Sequence, residues 1–593
     1  MNFDSNPSEE TVPPDFVPQS PTDAYQYSPL PRGSENGDSI RLIRLLPGTW
    51  DSPIELELAT ATMEPGKIPY YEAVSYVWGN VDPDLAVSVS CEGYVMKIGR
   101  SAAMALRRFR FSDHTRLLWV DAICINQVDA AEKNDQVIKM DRIYQTASQV
   151  LVYLGEADHV SDIAMARISE RRVVQPGEYD LHIILRFLSQ RQWFSRVWVL
   201  QEVALADVAL VICGAKCVPW ACFPAWWARN AALLEGRFEP PPVLSYGPSV
   251  MKPLTLLQQL HDTRHSKATL PLDKVYALVG LLQPEDRLGV VVDYTQTTAR
   301  LYASIAKSIV ERTSSLRILS GKLEDSTSPR QEGLPSWVPD WSIATSISSL
   351  GLGNKYLEPY DAGGKPACGI NIQLPTMSCS GITFDTVKQV ATTLLQPGAE
   401  QTVDYQSLVT EWVDLAASTS SPLLQSHIAS YLIDRFVSGL DNTYPPSVQY
   451  SRARSLWITA QGLSTPTIEL TPEESEARLN CPGNAESLKF CFGRKLFVTA
   501  RHGALGLGPI DVREGDVVAV LLGAPVPHIL RRQASEENLS TNSYTLVGEC
   551  FVDGIMAGEA LNHLQDELKE MGHRCRTFAK SCSNSPLETF CID

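Results

Sequence analysis

The sequence predicts an α/β fold for the first third of the chain, a parallel sheet with flanking helices in a flavodoxin-like arrangement. Three observations predict it. Residues 117–125 are apolar enough for a strand covered on both faces, as in parallel sheets. Val137, Met140, Tyr144 and Ala147 then recur at helical spacing. Further apolar strands follow at 150–154, which closes on Gly155, and at 209–213. Strands alternating with helices at these lengths imply crossovers that cover both faces of one sheet.

The remaining elements follow in chain order. Residues 1–38 are rich in Pro, Ser, Asp and Glu and cannot bury enough apolar surface to offset ordering, so they read as a disordered arm. Short strands at 39–46 and 54–58 are parted by Pro47-Gly48. A strand at 73–77 and a hairpin around 87–98 come next. A helix over 101–111 then sets Ala102, Ala105, Leu106 and Phe109 on one face. Asp129 suits an N-cap, and Glu132 three positions on is placed to reach back as a capping box. A helical stretch at 181–189 leads into a helix over 193–206. Together 39–215 form one α/β domain, and 216–345 read as its helical extension, interrupted by Pro240-Pro241-Pro242. Residues 346–480 are mixed and mainly helical, with a helical part at 405–437. Short β-rich runs separated by Gly turns make 481–562 a barrel-like module, and 563–593 read as a tail.

Bulk properties exclude several classes. A chain of 593 residues, 44% hydrophobic and 20% charged, is globular and too long for one core. A net charge of −17 argues against general nucleic-acid binding. Thirteen cysteines without regular spacing, and a polar acidic start, fit free thiols in a soluble cytoplasmic protein. No run approaches the ~20 apolar residues needed to span a bilayer, so no membrane partner is expected.

Three stretches carry polar groups at the ends of apolar runs: Tyr71-Glu-Ala-Val-Ser-Tyr-Val-Trp-Gly79, Leu118-Trp-Val-Asp-Ala-Ile-Cys-Ile-Asn-Gln127 and Arg191-Gln-Trp-Phe-Ser-Arg-Val-Trp-Val-Leu-Gln-Glu202. In open α/β sheets ligands collect at the carboxyl edge of the strands. Ser75, Trp78 and Gly79 share that predicted edge with Asn126 and Gln127. Gly79 lets backbone approach a ligand, and Trp78 either stacks on an aromatic ring or fills the core. Asp121, inside a predicted strand, must be paired or hydrogen-bonded; the structural reading leads, a carboxylate tying down the following loop. Arg196 suits a phosphate, Asp121 or Glu202, and the sequence does not choose. His261 and His265 have helical metal-ligand spacing but lack a third ligand, so they read as a surface pair with no metal. Cys213, Cys217 and Cys222 are not spaced as a zinc ribbon, and the glycines from Gly503 to Gly508 read as a β turn.

These three stretches, with Asp129, Glu132-Lys133 and Gln136 after the second, resemble the HET (heterokaryon incompatibility) domain of filamentous fungi. The resemblance is strong over 71–214. It continues weakly through Asp273-Lys-Val-Tyr-Ala-Leu and Leu334-Pro-Ser-Trp-Val-Pro-Asp-Trp341, although Leu272 stands where that family usually has arginine. It implies a TIR-like fold and a role in non-self recognition and regulated cell death. In catalytic TIR domains a glutamate four residues after a tryptophan drives NAD cleavage, and Trp198 to Glu202 has that interval. The resemblance thus implies Glu202 as the catalytic residue, Trp198 as a wall of the pocket, and NAD as substrate with no tightly bound cofactor. A carboxylate can stabilise the oxocarbenium that forms when nicotinamide leaves. The competing reading is a non-enzymatic module that docks a protein partner or a second copy, with Glu202 in a salt bridge to Arg196. The enzyme reading expects Trp78, Asn126 and Glu202 around one concave pocket.

Overall fold

The computed structural model describes residues 24–31, 39–79, 85–174, 179–234, 240–247, 254–324, 327–345, 347–352, 360–364, 369–392, 411–412, 415, 493–533, 543–562 and 587–593. The chain divides into two units: residues 1–256 with 265–295, and residues 257–264 with 296–593. The first unit carries β1 (Ser39–Leu45), β2 (Glu55–Thr62), β3 (Glu72–Tyr76), β4 (Val87–Cys91), β5 (Tyr94–Ile98), α1 (Arg100–Phe109), β6 (Arg116–Trp119), α2 (Asp121–Cys124), α3 (Ala130–Val137) and α4 (Met140–Thr146). It continues with β7 (Gln149–Tyr153), α5 (His159–Ser169), α6 (Tyr179–Gln190), α7 (Val199–Ala204), β8 (Ala209–Cys213), β9 (Lys216–Pro219) and α8 (Cys222–Leu234). After α9 (Leu256–Asp262), which but for Leu256 belongs to the second unit, it resumes with α10 (Asp273–Val279).

The sheet of this unit runs β5-β4-β2-β1-β6-β3-β7-β8-β9. Its centre, β6-β3-β7-β8, is parallel, and those strands hold fully buried Val74, Trp119, Val150 and Val211. The sheet as a whole is mixed, which corrects the expected parallel sheet. β1 pairs antiparallel with β2 and with β6, and hairpins β4–β5 and β8–β9 close the edges. The segment expected as two isolated short strands thus widens the parallel block.

Five local expectations also change. The run at 117–125 leaves the sheet after Trp119, and Asp121 opens the helical turn α2 with its carboxylate accepting the Ala122 N–H at 2.7 Å. The helix after Asp129 is two, α3 and α4, parted at Ile138 and Lys139. Asp129 caps α3 through Ala131 and Glu132, but the Glu132 side chain turns away to Arg41 and the Asn126 N–H instead of completing a box. The helix expected over 193–206 is a 3-10 turn at Gln192–Ser195 followed by α7. Between them Val197 donates to Lys267 O at 2.9 Å, a β-bridge that no helix could make. Within the expected arm, residues 24–31 pack on this unit. Ala24 bridges Val95, and the Tyr27 hydroxyl donates to Ile123 O at 2.9 Å.

The second unit contains α11 (Thr298–Thr313), β10 (Asn371–Gln373), β11 (Thr376–Val390), β12 (Arg494–Thr499), β13 (Leu505–Pro509), β14 (Val517–Leu521), β15 (His528–Arg532), β16 (Ser543–Glu549), β17 (Phe551–Val552) and β18 (Glu588–Ile592). Strands β14, β15, β16, β18 and β11 pair in a closed ring, a barrel filled by Val518, Val520 and Ile529. Two of its staves come from outside the expected module. β11 lies in the stretch expected to be mainly helical, and β18 lies in the expected tail. Met377, Cys379 and Gly381 alternate there with serines, a period of two in residues too polar to announce a strand. The helical part expected at 405–437 falls almost wholly outside the described residues.

Candidate functional site

The carboxyl ends of β3 and β6 open into a cavity of about 350 Å³, within the range of small-molecule sites. β3 delivers Val77, Trp78 and Gly79; β6 delivers Asp121, and the turn after α2 delivers Gln127. Gly79 has φ +76°, a left-handed conformation that carries the chain out of the sheet. The third wall is the extended segment before α7, with Arg196 and Trp198. The fourth is the strip 267–273, held against it by the Val197–Lys267 bridge.

Asp121 is the polar centre of this wall. Its carboxylate accepts the indole N–H of Trp78 at 2.8 Å and the hydroxyl of Tyr76. Burial pushes its carboxyl above the ordinary range, and Arg196, Trp78, the Ala122 N–H and Tyr76 oppose that shift. Arg196 donates to Tyr76 O, which fixes the guanidinium beside the strand end. Gln127 donates to Asp121 O at 3.1 Å, closing the turn that presents the carboxylate.

Six expected site residues line this cavity: Trp78, Gly79, Asp121, Gln127, Arg196 and Trp198. Ser75, Asn126 and Glu202 do not. Asn126 sits in the turn after α2, its N–H donating to Glu132 at 2.7 Å. Ser75 and Glu202 form a buried pair within the sheet: Ser75 donates to Glu202 and accepts the Trp193 indole N–H at 2.7 Å. Glu202 is 2% exposed, and burial lifts its carboxyl to about 7 against the opposing charge of Arg196 and the Ser75 hydrogen bond, with Asp121 adding to the rise. One helical turn before Glu202, whose N–H donates to its carbonyl at 3.3 Å, Trp198 sends its side chain to a different partner. Its indole donates to Asp273, while Glu202, inside the helix, meets Ser75 of β3.

Sequence reasoning missed the far wall. Asp273, at the start of α10, accepts the Tyr294 hydroxyl at 2.7 Å, and burial raises its carboxyl. Lys133 lies over the Tyr294 ring at 4.3 Å. One signal was available: Asp273 interrupts an apolar run just as Asp121 does, and Lys133 follows the structural Glu132.

With this geometry in place, the chain can be compared with known proteins. Residues 71–202, from the strand before Trp78 to Glu202, match the family model described as heterokaryon incompatibility protein (HET), and residues 469–569 match the Het-6 beta-barrel domain. Residues 71–202 thus carry a HET domain. Heterokaryon incompatibility protein 6, OR allele, of Neurospora crassa is 26% identical across 90% of this chain and 96% of its own length. Vegetative incompatibility protein HET-E-1 of Podospora anserina is 26% identical over 146 residues, 24% of this chain and 10% of that protein. No solved structure matches. The HET match ends at Glu202, so the cavity wall made by Lys267, Asp273 and Tyr294 lies outside the matched span.

Among the described residues no group of three or more His, Cys, Asp or Glu side chains is placed to hold a metal ion. α9 ends at Asp262, before His265. Cys213 and Cys222 are buried thiols and Cys217 is an exposed one. Among the described residues no helix is long and apolar enough to cross a membrane.

Proposed function

We propose that this protein acts in fungal non-self recognition and regulated cell death in the cytoplasm, and that its HET cavity takes an NAD-type dinucleotide as substrate, with no resident cofactor. One observation carries the substrate reading. Two indoles, three cationic side chains and two carboxylates converge on one cavity at the carboxyl edge of parallel strands. The parallel block supports a TIR-like reading of the fold, because its strands in chain order lie 2-1-3-4, as in flavodoxin-like sheets.

Hydrolysis of NAD breaks the bond from ribose to nicotinamide, and the electron pair leaves with nicotinamide. The ribose carbon becomes an oxocarbenium, water adds to it, and a proton is released. Asp121, facing the cavity, is the carboxylate placed to stabilise that cation. Glu202 is the second proposed catalytic residue. Its elevated proton affinity suits the proton released by water near neutrality, once its carboxylate gains access past Ser75.

A second reading is a module that docks a protein partner or another copy without catalysis. The enclosure of Glu202 away from the cavity favours it. Expression in a filamentous fungus separates the two. Under hydrolysis, Asp121→Asn and Glu202→Gln accumulate to wild-type levels but no longer kill. Undiminished killing by both folded variants would leave the docking module.

A further inference from the structure

Two lysines stand on the cavity wall, Lys133 half-buried and Lys267 exposed. Among the described residues, Lys133 and Lys267 line it without a carboxylate at ion-pair distance. The cavity's carboxylates have closer partners: Asp121 has Trp78, Tyr76 and the charge of Arg196, and Asp273 has Tyr294 and Trp198, with the charge of Lys133 acting on it without an ion pair. Arg196 faces Asp121 and Tyr76 O, so Lys133 and Lys267 are the two cavity cations without a direct carboxylate contact among the described residues.

Their placement is built by the fold. Lys133 follows the buried Glu132, whose carboxylate is clamped by Arg41, so the first turn of α3 cannot roll away from the cavity. The Tyr294 ring under the Lys133 ammonium holds the amine at one side. Lys267 is locked through its backbone: its N–H donates to Ser195 O and its carbonyl accepts from Val197, so its side chain leaves from a fixed strip.

We propose that Lys133 and Lys267 form an anion subsite that binds the phosphate groups of a ligand whose ring lies against Trp78 or Trp198. Lysine suits the task as a compact point charge that meets phosphate oxygens without a fixed fork. The indoles take the aromatic ring by stacking. The subsite deepens the dinucleotide reading by naming a feature that the substrate must carry, and it uses residue Lys267 from beyond the span that matches the HET family.

Calorimetric titration of the full chain tests it with three probes: ADP-ribose, nicotinamide riboside, which lacks phosphate, and inorganic pyrophosphate. Lys133→Gln and Lys267→Gln should each weaken ADP-ribose about 10-fold, as expected for losing one charge-assisted contact. Neither should weaken the riboside, whose pyridinium is itself cationic, and wild-type affinity for ADP-ribose should fall with added salt. Equal binding of ADP-ribose by wild type and both variants, or no binding of ADP-ribose at all, overturns the subsite. Binding of pyrophosphate that is insensitive to both substitutions also overturns it. Lysine-dependent binding of ADP-ribose without NAD loss keeps the subsite while rejecting hydrolysis. NAD loss with a KM indifferent to both lysines does the reverse.

Discussion

Trp78 donates its indole N–H to Asp121 across 2.8 Å, joining the loop after β3 to the turn after β6 at the mouth of the cavity. The ring lines the cavity while its polar edge holds the carboxylate. Replacing Trp78 by Phe keeps an aromatic wall but removes the donor. The Asp121 carboxylate then loses one of its few partners, which should cost about 1–3 kcal/mol. Urea unfolding of the full chain checks this. A midpoint equal to wild type would show that the bond carries no stability.

Arg41 and Glu132 form a paired, buried ion couple, with side chains 4% and 6% exposed. Arg41 also donates to Cys124 O and Ser28 O, so the couple ties β1 and the packed segment at 24–31 to the motif around Asp121. Glu132→Ala leaves a guanidinium buried without its counter-charge and should destabilise by about 3–5 kcal/mol. Replacing both residues by Met and Leu should cost far less. Similar unfolding midpoints for the single and double variants would contradict the pairing.

Glu202 makes stability depend on pH. Its carboxyl, lifted by burial to about 7 from an ordinary value of 4.5, binds a proton more tightly in the folded chain. Its contribution is therefore complete below 4.5 and is lost as pH rises through 7, a difference of about 3 kcal/mol. The Glu202→Gln variant should lack that loss. Unfolding free energies of both proteins measured from pH 5 to 8 should diverge with rising pH; parallel curves would reject the shift.

His528 works in the opposite sense in the barrel. It is fully buried in β15 opposite Glu549, and burial pushes its imidazole down to about 4. A base depressed in this way contributes stability above its ordinary value of 6.5 that is lost as pH falls through 4. His528→Leu should flatten the acid limb of barrel unfolding by about 3 kcal/mol. An unchanged acid midpoint in the variant would count against a neutral buried ring.

The strands of the parallel block were legible because most of their residues are apolar and buried, with few polar interruptions such as Ser75. The motif ends were legible as a site because Trp78, Gly79 and Gln127 follow those runs at one predicted edge. What escaped depended on contacts distant in sequence. Residues 193–206 have helical composition, yet pairing with Lys267 holds Arg196 extended and delays α7 to Val199. β11 and β18 are nearly two hundred residues apart in the chain and pair only because the barrel closes, so neither has a local signal strong enough to announce it. Asp273 was visible in its own motif. Only the fold brings it to the cavity that holds Asp121.

Loss of NAD over time with concentrated full-length protein, wild type beside Asp121→Asn and Glu202→Gln, tests the proposed chemistry most directly. Hydrolysis at the HET cavity predicts nicotinamide and ADP-ribose in equal amounts from wild type, and loss of at least 100-fold in rate for each folded variant. NAD that stays intact with the concentrated wild type, or is consumed equally by all three proteins, would contradict it.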